Sequence, residues 1–473
     1  MQRIHLVGIG GSGMSAIAKV LWERGYSVTG SDQAETSFLA ELRKLGIPIT
    51  VGHKAENIQN ADLVLRTSAA TANNPEVKAA LDAGIPVMRR EEYMRILLKE
   101  TFTIAGASTP GKTTTTSMIA WTLTKLGLDP SYIIGSVAQN LKGNAHAGKG
   151  LSFVIEADEY DRMFLGIEPS VAVITSIEHD HPDCFPTEAD YREAFRSFIA
   201  NARPYAQLVL YADEPGTKWL RTNLPRNVIR VATYGEDMDV NFQLANLRTN
   251  ELGGSSFDVL HNGNLLVSVN LKVPGKHNAL NALATLAACY GMVLPMDRAA
   301  LALSEFEGSA RRFQVIGTVK GTTTIDDYAH HPTEIRATIQ AAKARYPKSQ
   351  IWAVWQPHTF SRTQTLINEF EHAFQEADSV VITEVYASRE TANGFSAASI
   401  VEELDHPSKH YSPNLDEVEE YLYSKVKAGD VVVAEADGVG RRQVVGDDDG
   451  AQAVAALGWQ AAGMAEQHLD QAL

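Results

Sequence analysis

Cysteine is nearly absent: Cys184 and Cys289 are the only two in 473 residues. That is too few for a disulfide framework and fits a reducing cytosol. No apolar run reaches about 18 residues, the length a membrane-spanning helix needs. No signal-peptide pattern precedes the first strand-like run, which begins near Arg3. The expectation is a cytoplasmic protein without stable membrane association. Basic residues are also short, 42 against 57 acidic for a net charge of −15. This argues against a nucleic-acid or anionic-membrane partner, so an anionic ligand must be held by local clusters. Low-complexity tracts and fixed-period repeats are missing as well. What is present is an ordinary globular composition, 44% hydrophobic and 21% charged, in a chain long enough for about three domains.

The opening RIHLVGIGGSGMSAIAKVLWERGYSVTGSD reads as strand, glycine turn, helix and strand. Met14, Ile17, Ala18 and Leu21 recur at helical spacing, and the second strand ends on Asp32. ADLVLRT and IPVM continue the alternation, which makes residues 1–98 a doubly wound α/β domain. A second domain, 99–308, opens with the strand FTIAGA and a helix through Leu126. Two more buried strands, LSFVIEADEYD and SVAVITSIEHDHPD, each end in a burst of acids or histidines. Within it, FDVLHNGNLLVSVNLKVPG alternates around an Asn-Gly-Asn turn and predicts a hairpin or small antiparallel sheet. The third domain, 309–473, restarts the strand pattern at FQVIGTVKGTTTIDDYAHHP. The expected fold class is α/β: Rossmann-like first and third domains around a central phosphate-loop domain.

Two glycine-rich turns point to phosphate. In GASTPGKT, Gly106 and Gly111 would turn backbone N–H groups toward phosphate oxygens, with the following helix N-terminus behind them. Lys112 would reach the β- and γ-phosphates, and the Thr113 hydroxyl would ligate Mg²⁺. In GIGGSG, Gly8, Gly10 and Gly13 match a dinucleotide fingerprint, with Asp32 where a ribose-binding acid belongs. That pattern suits a nicotinamide dehydrogenase, but any pyrophosphate fits the turn. EADEYD and EHDHPD follow buried strands, at the end where such sheets place ligands. Glu156 and His181 would hold a second Mg²⁺, whereas the His-x-His of His179 and His181 admits a zinc hydrolase instead. PGKHNALNALA, SARRFQ, IDDYAHHPTE and WQPHTFSRT gather polar groups at turns and suggest one composite site.

Taken in order, GIGGSGMS, EADEYD, EHDHPD, GKHNALNALA, RRF, DDYAHHPTEI and QPHTFSRT resemble the Mur ligase family, from the first strand to about residue 430. The resemblance implies ATP-driven amide formation, most like the branch that joins L-alanine to the carboxylate of UDP-N-acetylmuramate through an acyl phosphate. It implies that the first domain grips UDP through Gly8, Gly10, Gly11, Ser12, Gly13, Ser68 and Asp32. It implies ATP contacts from Gly106, Gly111, Lys112, Thr113, Thr114, His277, Asn278, Asn281 and Arg312, and Mg²⁺ on Thr113, Glu156 and His181. Lys112, Asp327, His330, His358 and Arg362 would carry the chemistry, with Tyr328 beside them, in a monomer or homodimer. The alternatives are a recycling ligase that adds a whole peptide, and a catalytically weak nucleotide-binding relative. The loop GASTPGKT has two more residues between its glycines than the family's usual one, and the glycine-rich turn expected after GDVVV is replaced.

Overall fold

The computed structural model describes residues 2–226, 230–388 and 390–435. The replaced turn after GDVVV and the rest of the C-terminal stretch lie outside the described residues. Those residues form three sheets in succession along the chain. The first contains β1 (Arg3–Val7), β2 (Ser27–Asp32), β3 (Ile49–Val51), β4 (Leu63–Arg66) and β5 (Val87–Arg89). They run parallel in the order β3-β2-β1-β4-β5. Helices α1 (Ser12–Glu23), α2 (Ser37–Lys44) and α3 (Pro75–Asp82) lie between them in the chain, and α4 (Arg90–Leu97) follows β5. Ile4, Leu6 and Val7 are all buried, as a strand covered on both faces requires. The order reverses beside β1, so the glycine turn after Val7 opens at the switch point where such sheets bind ligands.

The second sheet holds β6 (Phe102–Ala107), β7 (Ser131–Ala138), β8 (Gly143–His146), β9 (Ser152–Glu156) and β10 (Val171–Ile174). It continues through β11 (Gln207–Tyr211), β12 (Arg230–Gly235), β13 (Phe242–Thr249), β14 (Ser255–His261) and β15 (Asn264–Asn270). Its helices are α5 (Lys112–Lys125), α6 (Glu188–Ala200), α7 (Pro215–Thr222), α8 (Lys276–Gly291) and α9 (Met296–Ser304). The hairpin foreseen around Asn262 is β14 and β15, antiparallel, with Asn262 and Gly263 at φ 49° and 80°. These strands form no separate layer. β13 pairs in parallel with β12 through Tyr234–Phe242 and Gly235–Gln243, so the hairpin extends the central sheet. Alternation of side chains reveals a hairpin but not the edge it joins.

The third sheet comprises β16 (Gln314–Val319), β17 (Thr322–Asp327), β18 (Ile351–Trp355), β19 (Ser379–Thr383), β20 (Lys409–Ser412) and β21 (Val431–Glu435). Only the β16–β17 pair is antiparallel, in the order β16-β17-β21-β18-β19-β20. Around it lie α10 (Pro332–Arg345), α11 (Phe360–Thr365), α12 (Ile367–Phe370), α13 (Ala398–Glu403) and α14 (Leu415–Lys425).

The joints between these units differ in chemistry. Tyr93, Met94 and Leu97 of α4 belong to the same apolar cluster as Phe153, Phe164 and Phe198 of the central unit. Arg203 adds hydrogen bonds to the carbonyls of Leu98 (2.8 Å) and Thr101 (2.6 Å), pinning the segment between α4 and β6. The third sheet packs its own core around Trp355, Phe370 and Phe374. It meets the central unit through charged and polar side chains, Arg362 on Asp180 and Thr333 on Glu178.

One buried carboxylate braces the first unit. Glu76, in the first turn of α3, is fully buried and accepts from Ser31 Oγ at 2.5 Å, Lys54 N at 3.3 Å and Asn57 Nδ2. His53 Nδ1 lies 3.2 Å away and His5 Nε2 3.5 Å. Burial works against its charge, but these partners win and hold the carboxyl well below its ordinary value of 4.5. Because the folded state lowers this pKa, the stabilisation is present above pH 4.5 and is lost as pH falls through the folded value. Glu76→Gln is expected to lower stability near neutrality by about 2 kcal/mol and to shrink the loss on acidification. Thermal melts of both proteins from pH 7 to pH 3 check this; parallel curves would contradict it.

Candidate functional site

The phosphate loop is shorter than its motif suggests. β6 ends at Ala107 and α5 begins at Lys112, which leaves Ser108–Gly111 as the turn. Gly111 has φ 95°, and a Cβ there would lie 2.8 Å from Thr175 Oγ1 and 2.9 Å from Asn281 Oδ1. Gly106 sits inside β6 instead of in the loop. A Cβ on it would lie 2.5 Å from Thr116 Oγ1, so this glycine lets α5 pack on the strand and does not line the site. Motif spacing cannot show where a strand stops.

Lys112 Nζ donates to Glu159 Oε1 at 2.7 Å and to the Ser108 carbonyl. Glu159 is completely buried, takes a 3.2 Å hydrogen bond from Tyr191 Oη, and leaves Oε2 without a partner. Burial pushes its carboxyl up to about 7 despite the pull of Lys112. Burial opposes the lysine's charge too, but Glu159 and the neighbouring Asp158 and Glu156 keep it protonated. A carboxyl this close to neutrality can give up its lysine to an incoming phosphate at reduced cost.

Glu156 ends β9 and His181 follows β10, and the two strands are not neighbours: each pairs with β6, on opposite sides. The residues therefore straddle the phosphate loop. Thr113 Oγ1 donates to Glu156 Oε1 at 2.9 Å, and Gly135 N to Oε2 at 2.6 Å. His181 is held at φ 53° with Tyr160 edge-on 5.1 Å away, and its buried Nδ1 has no partner. Burial pushes His181 down to about 4, so the ring is neutral and its lone pair available. A hydroxyl, a carboxylate and an unused imidazole nitrogen in one wall suit a hard divalent cation. His179 turns away, its Nε2 2.8 Å from the Phe185 carbonyl. Among the described residues, no group of three or more His, Cys, Asp or Glu could hold a metal ion, so the zinc-hydrolase alternative finds no ligand set.

The third unit reaches this wall through a buried ion pair. Arg362 Nε donates to Asp180 Oδ1 at 2.7 Å and Nη2 to Oδ2 at 3.3 Å, with both residues buried. Its Nη1 lies 2.8 Å from His358 Nδ1. The turn before α11 holds Thr359 at φ 66° and ψ 141°, a costly backbone for a β-branched residue that aims His358 and Arg362 inward. His330, 6.0 Å from His358 between ring centres, is pushed down to about 3 by burial and by Arg362. Thr333 bonds Glu178 across the same joint. Asp327 holds the local backbone. Its carboxylate accepts from Phe313 N (2.7 Å), Ala329 N (2.9 Å) and Thr338 Oγ1 (3.2 Å), which fixes the turn that carries Arg312.

In the first unit, Gly8 is at φ 78° and a Cβ would strike Thr67 Cγ2 at 2.6 Å. Asp32 Oδ2 accepts from Gly10 N at 2.7 Å, so this acid shapes the turn as well as facing the cavity. Ser68 is exposed and lies off the cavity wall, which Thr67, Ala69 and Ala70 line instead.

Two cavities collect nearly all of these groups. The larger, about 2000 Å³, takes Gly8, Gly10, Gly11, Ser12, Gly13 and Asp32 from the first unit. To them it adds Lys112, Thr113, Glu156 and His181, and from the third unit Arg312, Tyr328, His330, His358 and Arg362. The smaller, about 520 Å³, lies on the other side of the loop and is lined by Gly111, Thr114, His277, Asn278, Asn281 and Asp327. Thr113 and Arg312 line both, so a nucleotide's base and phosphates can occupy adjoining spaces. Glu159, Asp180 and Glu334 sit in motifs that the sequence displays, yet nothing there singles them out from solvated acids. Arg90 carries no sequence signal.

Two glycine-rich turns, one from the first unit and one from the second, open onto one cavity. Three family models match in succession: the Mur ligase family catalytic domain at residues 3–101, the Mur ligase middle domain at 105–289, and the Mur ligase glutamate ligase domain at 311–438. The chain belongs to the Mur ligase family. It is 40% identical over 439 residues to a UDP-N-acetylmuramate–L-alanine ligase of Alkaliphilus metalliredigens, covering 92% of this chain and 94% of that one. Among solved structures, the UDP-N-acetylmuramate–alanine ligase of Thermotoga maritima superposes with a TM-score of 0.77 at 33% identity, over 92% and 95% of the two chains. A murein peptide ligase from Psychrobacter arcticus gives 0.68 at 26% identity, over 92% and 96%.

Gly106→Ala tests the corrected loop. It is expected to destabilise the fold by about 1–3 kcal/mol through overpacking, and Gly106→Ala combined with Thr116→Ala should recover most of the loss. Chemical denaturation of the two variants checks this. A single variant that keeps wild-type stability yet loses ATP would return Gly106 to the binding loop.

Proposed function

We propose that this protein is an ATP-dependent ligase that joins L-alanine to the carboxylate of UDP-N-acetylmuramate, in the supply of peptidoglycan precursors. The observation that carries the reading is the single large cavity onto which both phosphate turns and the third unit's histidines open. The similarity to alanine-adding ligases supports the amine, and stands above that to the peptide-adding ligase in both identity and TM-score. The reading divides the chain as 1–98 for the sugar nucleotide, 99–308 for ATP and 309–473 for the amino acid.

Adenine occupies the smaller cavity beside His277, Asn278 and Asn281, and the triphosphate crosses the N-terminus of α5. Lys112 exchanges Glu159 for phosphate oxygens there. Thr113, Glu156 and His181 would hold Mg²⁺, which when bound neutralises phosphate charge so that the muramyl carboxylate can approach. The carboxylate takes the γ-phosphoryl group, giving the acyl phosphate and ADP. The alanine amine then attacks the acyl carbon and phosphate leaves. Arg362, fixed by Asp180 and His358, supplies positive charge where the transferred phosphate departs. His330, neutral because it is buried, can accept a hydrogen bond from the amine without repelling it. No helix among the described residues is long and apolar enough to cross a membrane. The reading places the enzyme in the cytoplasm as a monomer or homodimer.

Phosphate release should require ATP, Mg²⁺ and UDP-N-acetylmuramate together, with L-alanine the preferred amine over the tripeptide. Amine-independent hydrolysis, or preference for the tripeptide, would overturn the reading. His181→Ala should lower kcat and raise the Mg²⁺ concentration needed for half-activity by about tenfold, the cost expected of losing one ligand-shell contact. His179→Ala should leave the Mg²⁺ requirement within about twofold, because its ring is engaged with a backbone carbonyl. Magnesium titrations of the three proteins decide between these roles.

A further inference from the structure

The large cavity is lined by charges of both signs. The central and third units contribute the cations Lys112, Arg311, Arg312 and Arg362 among the acids Glu156, Asp158, Asp180 and Glu334, and the first unit contributes Asp32, Glu35 and one guanidinium, Arg90. On the proposed function, the first unit must hold a diphosphate carrying two negative charges. The N-terminus of α1 offers roughly half a positive charge, which Asp32 at Gly10 offsets, while Glu35 is paired with Arg43.

Arg90 is placed to make up the difference. It is the first residue of α4, whose start is fixed by a 2.7 Å bond from Arg89 N to Glu92 Oε2. The guanidinium fills the space that a side chain on Gly13 would need: a Cβ built there would lie 2.0 Å from Arg90 Nη1. The last glycine of GIGGSG therefore makes room for a cation at the first turn of α1. Arg90 also touches the central unit. Nη2 donates to Asp158 Oδ2 at 3.2 Å and Nε to Met163 Sδ at 2.8 Å. Asp158 keeps 43% of its side-chain surface exposed, so that bond is long, wet and weakly held.

We propose that Arg90 is a substrate-binding residue: its guanidinium takes the diphosphate of the UDP-sugar at the N-terminus of α1, exchanging Asp158 for phosphate oxygens. No covalent step is involved. The planar guanidinium can meet two phosphate oxygens at once, which an ammonium group cannot.

The inference rests on the sugar-nucleotide reading of the first unit, and UDP alone separates the two. Calorimetry on the full chain, without ATP or Mg²⁺, compares wild type with Arg90→Met, Arg90→Lys and Asp158→Asn. Arg90→Met should weaken UDP about tenfold or more, the scale of a lost charge-assisted bond. Arg90→Lys should recover only part of it, and Asp158→Asn should tighten UDP by removing the competitor. ATP affinity, measured separately, should stay within about twofold in the Arg90 variants, which also shows that they are folded. Wild-type UDP affinity in Arg90→Met or Arg90→Lys would overturn the proposal. So would Asp158→Asn weakening UDP as Arg90→Met does, the mark of a mere brace between units, or leaving it unchanged. A wild-type protein that does not bind UDP would remove the sugar-nucleotide reading and this proposal together.

Discussion

Lys112 keeps its charge inside the protein because Glu159 lies 2.7 Å away, and much of the central architecture depends on that pairing. An ammonium ion buried without a partner loses its proton or unfolds its surroundings. The partner must be buried too, and must be willing to lose the lysine when phosphate arrives. Glu159 meets both demands: Tyr191 supports one oxygen, the other is unpartnered, and burial holds the acid near neutrality. Tyr191 in turn sits in the aromatic packing of Phe185 and Phe195, so the lysine's charge is anchored in the core.

The same handling of charge explains an acidic protein that binds anions. Net charge offers no attraction, so each positive group is held by a specific acid: Lys112 by Glu159, Arg362 by Asp180, Arg312 by Glu334 and Arg90 by Asp158. These acids keep the cations in place while no ligand is bound. The protein carries its own substitutes for phosphate and carboxylate.

Much of this is legible in the sequence where a residue type is dictated by local geometry. The apolar strands, the two glycine turns and the hairpin at Asn262 can be read because period and turn chemistry are local. Gly106 is misplaced by its motif because a motif does not mark where a strand ends, and Ser68 because a turn serine can point either way. Glu156 and His181 can be read as following buried strands, but not that β6 lies between those strands; strand order is a tertiary property. Glu159 and Asp180 are visible as acids but not as partners, since their roles depend on cations 47 and 182 residues away. Arg90 has no signal at all, because what distinguishes it is the empty side of Gly13.

The two joints between the three units are made of different material. An apolar cluster continues from the first unit into the second, while the third is fastened by Asp180 to Arg362 and Glu178 to Thr333. The first joint is held by water exclusion, the second by charges that have been taken out of water. Loss of one partner at the second joint strands a buried charge, whereas trimming the apolar cluster at the first removes only packing.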